Sequence, residues 1–229
     1  MENNVLRIVS WNCRNGFTPD KVKAIGFYDA DIFVIQECKK TDYELEKKNW
    51  SSHDFYIDKE EKSNLGVTVF SNKYRIDRDK SFKEENRYVI PYNITGAEKL
   101  FLLYAVWTKK PLTKNSIYLA PVYNVLKELP LYTERIIFIG DFNTGSIQGA
   151  SNAHWYEDLD NALAEKNFIN CASGQEWVPT FFRGNKSWLD DHCFASSDFR
   201  ERVISFGIGN YDYWRKYSDH CPIAVDFAL

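Results

Sequence analysis

The sequence predicts an α+β fold in which two sheets pack against each other and helices cover the outside. Short runs rich in β-branched and aromatic residues recur throughout the 229 residues, which are 44 % apolar and 16 % aromatic. Some of these runs are separated by helix-length amphipathic stretches and others only by short polar connections, so neither a regular βα repeat nor an all-β pattern fits. No internal repeat, low-complexity stretch or Pro/Gly/Ser linker interrupts the chain, which predicts a single domain over residues 1–229. A chain of this size buries roughly 70–75 % of the surface that its unfolded form exposes, enough for a large core.

In order, "VLRIVSW" and "DIFVIQE" read as strands around a helix in "PDKVKAIGFYDA". There Pro19 suits a helix start, and Val22, Ile25 and Gly26 share a face. "LGVTVFS", "RYVIPYNI" and "KLFLLYAVW" form a middle block of strands, and the charge run "DKEEKSN" reads as a solvated loop. "TKNSIYLAPVYNVLKEL" has helical spacing at Ile117, Ala120, Val122 and Leu126, mildly broken by Pro121. "RIIFIGDF" reads as a buried strand running into a loop, and "WYEDLDNALAEKN" as an amphipathic helix. The rest returns to strands, beginning with a hairpin in "TFFRGNKSWLDDHCFAS" turned at Gly184–Asn185 and followed by "RVISFG" and "CPIAVDF".

The net charge of −3 argues against tight, non-specific nucleic-acid binding and leaves room for a local basic groove. Cys13, Cys38, Cys171, Cys193 and Cys221 are odd in number, dispersed and free of CxxC spacing, as expected of reduced, buried thiols. The N-terminus enters a strand pattern without a charged-then-apolar leader, and no apolar run reaches the roughly 18–20 residues that span a bilayer. These features predict a cytoplasmic protein without membrane contact.

Several strands end in polar residues where the chain leaves the sheet, in "SWNCRNG", "IQECKK", "GDFNTG", "WLDDHCF" and "SDHCPI". The candidates are Asn12, Glu37, Asp141, Asn143, Asp191, Asp219 and His220. Each alone has an ordinary reading: Asn12 as a turn residue, Glu37 as a solvated strand end, "GDFN" as a self-bonded turn. Their joint occurrence at five strand ends favours one rim. Carboxylate and amide oxygens without thiolates suit Mg²⁺ or Mn²⁺, which polarises a phosphoryl oxygen. A histidine against a carboxylate favours an imidazolium able to donate to a phosphate oxygen. The set points to metal-assisted hydrolysis of a phosphate ester.

These landmarks, spread over residues 8 to 226, resemble the endonuclease/exonuclease/phosphatase superfamily of deoxyribonuclease I-like enzymes. The resemblance implies a four-layer α/β/β/α sandwich of two packed, mainly antiparallel sheets. It further implies that Glu37 is the principal Mg²⁺ ligand, with Asn12 and Asp219 on or near the ion. By the same resemblance Asp141 activates or orients the attacking water, Asn143 and Asn12 hold the scissile phosphate, and His220 pairs with Asp191 and contacts a phosphate oxygen. Asp191 is chosen over Asp190 because "DHCFAS" matches the family's Asp–aromatic–apolar–Phe pattern. Strand alternation then turns Asp190 and His192 to the other face, His192 as a structural residue.

The chain departs from the pattern at Trp107, where many members carry a phosphate-contacting His or Tyr. Trp107 beside Lys109, Lys110 and Lys114 either stacks on a base or sugar while the lysines meet phosphates or is a half-buried Trp next to a solvated lysine loop. Arg183, Lys186 and Trp188 likewise form either a substrate contact or an ordinary charged turn. The resulting expectation is an Mg²⁺-dependent phosphodiesterase acting on DNA or RNA by in-line attack of water. The alternative substrate is a small phosphoester such as a nucleotide, sugar phosphate or inositol phosphate. A catalytically silent binding module would show erosion of the constellation, which is intact here, and no obligate protein partner is evident.

Overall fold

The first strand sets the pattern of the molecule. In β1 (Val5–Asn12), Leu6 and Ile8 face one core while Val9 and Trp11 face another. A strand apolar on both faces is one covered on both sides. The computed structural model describes residues 5–59, 61–96, 100–109, 118–146, 154–174 and 178–229.

β1 lies in a sheet with β2 (Ile32–Lys39), β3 (Ser52–Tyr56), β4 (Leu65–Ser71), β12 (Val203–Ile208) and β13 (Ile223–Ala228), in the order β12-β13-β1-β2-β4-β3. The second sheet contains β5 (Arg75–Arg78), β6 (Val89–Thr95), β7 (Phe101–Trp107), β8 (Ile136–Ser146), β10 (Phe181–Arg183) and β11 (Lys186–Ser196). Its order is β10-β11-β8-β7-β6-β5, and β9 (Phe168–Asn170) pairs with β11. The pairs β1–β2 and β7–β8 are parallel. The other pairings are antiparallel.

Between the sheets lies the main core, built from Leu6, Ile8, Ile32, Val34, Leu103, Ala105, Ile137, Ile139 and their neighbours. Helices α1 (Pro19–Gly26), α2 (Lys40–Glu46) and α5 (Tyr211–Trp214) cover the outer face of the first sheet through Ala24, Ile25, Tyr43 and Trp214. Helices α3 (Ala120–Glu128) and α4 (His154–Glu165) cover the second through Val122, Val125, Leu126, Leu159 and Leu163. The architecture is the α/β/β/α sandwich anticipated from the resemblance. No described helix is long and apolar enough to cross a membrane.

Several local expectations are corrected. Pro121 lies in the first turn of α3 and begins the helix instead of interrupting it, because its missing N–H costs nothing there. Ile117, Lys110 and Lys114 lie outside the described residues. Gly26 is exposed, and Ala24 joins Ile25 in the buried face of α1. The charge run at 58–64 is partly docked: Asp58 pairs with Arg87 at 3.3 Å and Glu61 pairs with Lys109. The hairpin turns at Gly184–Asn185 with Arg183 opposite Lys186, as expected. All five cysteines are buried and free.

Candidate active site

The inward-facing ladders of three strands change from apolar to polar at one end of the sandwich. Leu6, Ile8 and Ser10 lead to Asn12; Ile137 and Ile139 lead to Asp141; Ala195 and Cys193 lead to Asp191. Period-two alternation projects all three polar ends into the space between the sheets. The register places Asp191 opposite Asp141 and Trp107 beside Asp141. Gly140 is required here: its φ is +148°, and a Cβ would lie 2.0 Å from the Val106 carbonyl oxygen. Without that close approach β8 could not deliver Asp141 alongside β7.

Asn12 ties the two sheets together. Its Nδ2 donates to Asp141 Oδ2 at 2.9 Å and to Glu37 Oε1 at 3.1 Å. Its Oδ1 accepts the Arg14 N–H at 3.0 Å. Glu37 sits at a register shift between Ile35 and Cys38 and has φ +56°. Such a bulge re-aims a side chain, here away from plain strand alternation. The Asn15 N–H holds Glu37 Oε2 at 3.1 Å. Asn143 also has positive φ, at +48°; its backbone N–H donates to Asp141 Oδ1 at 2.9 Å and its Nδ2 to the Thr108 carbonyl at 2.8 Å.

His220 is fixed from three directions. Its Nδ1 lies 2.8 Å from Asp191 Oδ2, its ring stacks on Phe181 at 4.6 Å, and its carbonyl accepts Trp11 Nε1–H at 2.9 Å. Ser218 supports the same turn, donating from Oγ to the Asn12 carbonyl at 2.8 Å and accepting the His220 N–H at 3.1 Å. His220 Nε2 faces Asp141 Oδ2 across 4.0 Å. Burial alone would lower the His220 pKa, but Asp191, Asp141 and Asp190 outweigh it and raise the value to about 10. Burial, with Asp191 and Asp190 adding to it, pushes the Asp141 carboxyl well above the usual range against the opposing pull of His220. Asp219 turns its carboxylate to Arg14 Nε at 3.4 Å on the rim.

Glu37, Asn12, Asp141, Asn143, Asp191 and His220 therefore form one connected cluster, and Asp219 joins it through Arg14. His192 lies on the opposite face, with Nε2 3.2 Å from Thr144 Oγ1 and its ring stacked on Tyr156. Asp190 departs from simple alternation: a register shift between Leu189 and Asp191 interrupts the strand there. Asp190 is buried at 3 % exposure, and its charge reaches both Asp141 and His220. Trp107 is 4 % exposed, edge-on to Tyr88 at 4.8 Å and capped by Lys109 Nζ at 4.2 Å. With so little of its surface exposed, Trp107 is a core residue and not a half-buried platform, which corrects both sequence readings. Arg14, Asn15 and Lys21 were missed from the sequence, although the positive-φ candidates Asn15–Gly16 after Asn12 signal a tight loop.

The donor set fits a hard divalent cation. Glu37 and Asp141 share the two N–H bonds of a single amide, and Asp191 Oδ1 is buried without a partner. That is a surplus of inward-facing oxygen lone pairs and negative charge. Donor atoms of Asp141, Asp191 and His220 lie within 4.8 Å of one another. A protonated imidazole has no lone pair for a metal, however, which leaves the Glu37 side as the better seat. Asn12 presents nitrogen, not oxygen, to the carboxylates, so ligation by its Oδ1 requires a turn of the amide and loss of the bond to Arg14.

No curated protein matches the sequence. Among solved structures, the endonuclease domain of TRAS1, a telomere-specific non-LTR retrotransposon, superimposes with a TM-score of 0.70 at 17 % identity, covering 98 % of this chain and 99 % of that one. An AP endonuclease from Archaeoglobus fulgidus gives 0.67 at 17 % identity, covering 98 % and 100 %. The 3′ phosphatase NExo from Neisseria, bound to a product DNA hairpin, gives 0.69 at 15 % identity with coverage of 98 % and 100 %. These likenesses confirm the fold. The model of the Endonuclease/Exonuclease/phosphatase family matches residues 9–220, so the chain belongs to that family of phosphoester hydrolases, whose enzymes are typically dependent on a divalent metal.

Proposed function

We propose that the protein is an Mg²⁺-dependent phosphodiesterase that cleaves DNA or RNA by in-line attack of water on phosphorus. The observation that carries this reading is the 4.0 Å gap between His220 Nε2 and Asp141 Oδ2, with Asp191 behind the imidazole and Glu37 beyond Asn12. That separation is too long for a hydrogen bond between the two, so the Nε2–H and the carboxylate are each left for another partner, the first a phosphate oxygen and the second a water. Glu37, with Asp219 and a turned Asn12 nearby, would hold the ion, which would supply Lewis acidity and neutralise charge on the phosphate.

His220 stays protonated at neutral pH, donates Nδ1–H to Asp191 and offers Nε2–H to a non-bridging phosphate oxygen. Asp141 is a stronger base than an ordinary carboxylate because burial and two neighbouring acids raise its proton affinity. The water oxygen forms a bond to phosphorus, the ester P–O bond breaks, one proton passes to Asp141, and the leaving oxygen takes a proton from solvent. Asn143, anchored to Thr108 through one N–H, keeps its other for the scissile phosphate.

Hydrolysis of a small phosphoester is the second reading, favoured by the net charge of −3. One panel separates the two: purified protein with Mg²⁺ against plasmid, single-stranded DNA, RNA, abasic-site duplex and phosphomonoesters. Polymer cleavage that disappears with chelator supports the first reading, and turnover of monoesters alone replaces it with the second. Asn143→Ala and His220→Gln are expected to lower turnover by about 10²–10⁴-fold while leaving the fold intact. Unchanged rates in both would remove these residues from the mechanism.

A further inference from the structure

Lys21, in the first turns of α1, directs its Nζ into the loop after Asn12 and donates to the carbonyls of Cys13, Arg14 at 2.8 Å and Gly16 at 3.1 Å. An ammonium has three N–H donors, so these acceptors saturate it and leave none for a substrate phosphate. A cation near a helix N-terminus is also opposed by the helix dipole. Its place there therefore calls for a reason, and the loop provides one.

In a trans peptide unit the carbonyl and the following N–H point in opposite directions. The three carbonyls that Lys21 gathers belong to the units whose N–H groups are those of Arg14, Asn15 and Phe17. Those N–H groups donate to Asn12 Oδ1 at 3.0 Å, Glu37 Oε2 at 3.1 Å and Asp42 Oδ2 at 2.7 Å. Each unit is thus held by the ammonium at one end and by an oxygen of the site or its support at the other. The backbone pays for this arrangement: φ is +47° at Arg14, +57° at Asn15 and +119° at Gly16. A left-handed non-glycine residue costs roughly 1–2 kcal/mol and persists only where its surroundings over-determine it. At Gly16 a Cβ would lie 2.6 Å from Asp42 Oδ2, so the loop has little room to relax.

We propose that Lys21 is a positioning residue for the metal-binding carboxylate Glu37, acting through three peptide units of the loop at residues 13–17. It touches neither substrate nor ion. By clamping the carbonyl ends it aims the N–H of Asn15 at Glu37 and that of Arg14 at Asn12, and it strengthens both donors by polarising their peptide units. The proposal rests on the placement of the ion at Glu37.

The test is Mn²⁺ binding to the full-length, chelator-stripped protein, followed by the electron paramagnetic resonance of free Mn²⁺, for wild type, Lys21→Met, Lys21→Gln and Glu37→Gln. Removing a positive charge near a cation site would tighten binding by Coulomb attraction alone. Positioning predicts the opposite sign: Lys21→Met should weaken Mn²⁺ binding by about 10–100-fold, the usual cost of losing an outer support of a metal ligand. Lys21→Gln, which keeps two N–H donors for the carbonyls, should fall between it and wild type and covers the case in which the Met variant does not fold. The melting temperature in chelator should drop far less than the metal-dependent increment. Unchanged or tighter Mn²⁺ binding in the folded Lys21 variants overturns the assignment. If Glu37→Gln binds Mn²⁺ like wild type, the ion's placement itself falls, and this assignment falls with it.

Discussion

His192 and His220 are both fully buried, yet their environments drive them apart. Burial lowers the His192 pKa to about 4, with Asp191 and a hydrogen bond to the Leu189 backbone opposing only in part. The acids around His220 raise it to about 10 from an ordinary 6.5. The signs follow by proton linkage. Between about 4 and 6.5 the unfolded chain binds the His192 proton that the folded one refuses, so stability falls as pH drops through that window. Between 6.5 and about 10 the folded chain keeps the His220 proton that the unfolded one releases, so stability is lost as pH rises. Asp141, also raised, acts in the same sense as His220, its contribution being lost as pH rises above the ordinary carboxylate range. Urea unfolding across pH in chelator should show both limbs, with His220→Gln flattening the alkaline one and His192→Gln the acid one. Trp107 supplies the contrast of an uncharged residue. Packed in the inter-sheet core, it should cost about 3–5 kcal/mol when changed to Ala, the range for a buried aromatic. A loss below 1 kcal/mol in urea would mean that the ring is not part of the core.

At the scale of elements, β8 depends on a single glycine. Gly140→Ala would place a methyl against the Val106 carbonyl in a region of φ that only glycine adopts freely. The expected destabilisation is about 2–4 kcal/mol by urea, from backbone strain and overpacking together. Much of this level was legible beforehand. "VLRIVSW" and "RIIFIGDF" read as buried strands, and the polar residues at the points where they leave the sheet yield Asn12 and Asp141. Five elements carry no periodic apolar signal in the sequence: α2 begins in the charged "KK" where β2 ends, β3 carries the polar run "SHDFY", β5 and β9 are only four and three residues long, and α5 is one turn. The bulges at Glu37 and Asp190 were equally hidden, because a register shift is decided by the partner strand. Glu37 is still legible from its position after an apolar strand.

The whole molecule makes the site only when its two sheets meet. β1 brings Asn12 from one sheet to Asp141 of the other, and the turn at 218–221 is bonded to β1 through Trp11 and Ser218 and to the second sheet through Thr180. Partners such as Asn12 and Asp141 or Trp11 and His220 lie more than a hundred residues apart in sequence, which is why motifs reveal the site residues but not the groups supporting them. The net charge is −3, Lys21 is saturated by the loop, and Lys109 is engaged by Glu61. Arg14, at 59 % side-chain exposure, reaches the rim beside Asp219, and the hairpin carries Arg183 and Lys186. Among the described residues, these three exposed cations correspond to about two to four phosphate contacts. Each contact contributes a slope of roughly −0.9 in log affinity against log salt, so a polymeric substrate should give a slope of about −2 to −4. Binding of a short duplex to His220→Gln in Ca²⁺, titrated from 50 to 200 mM salt, measures it. A slope near −8 would demand a basic track that these three residues do not supply, and a slope near zero would turn the substrate from a polymer to a small phosphoester.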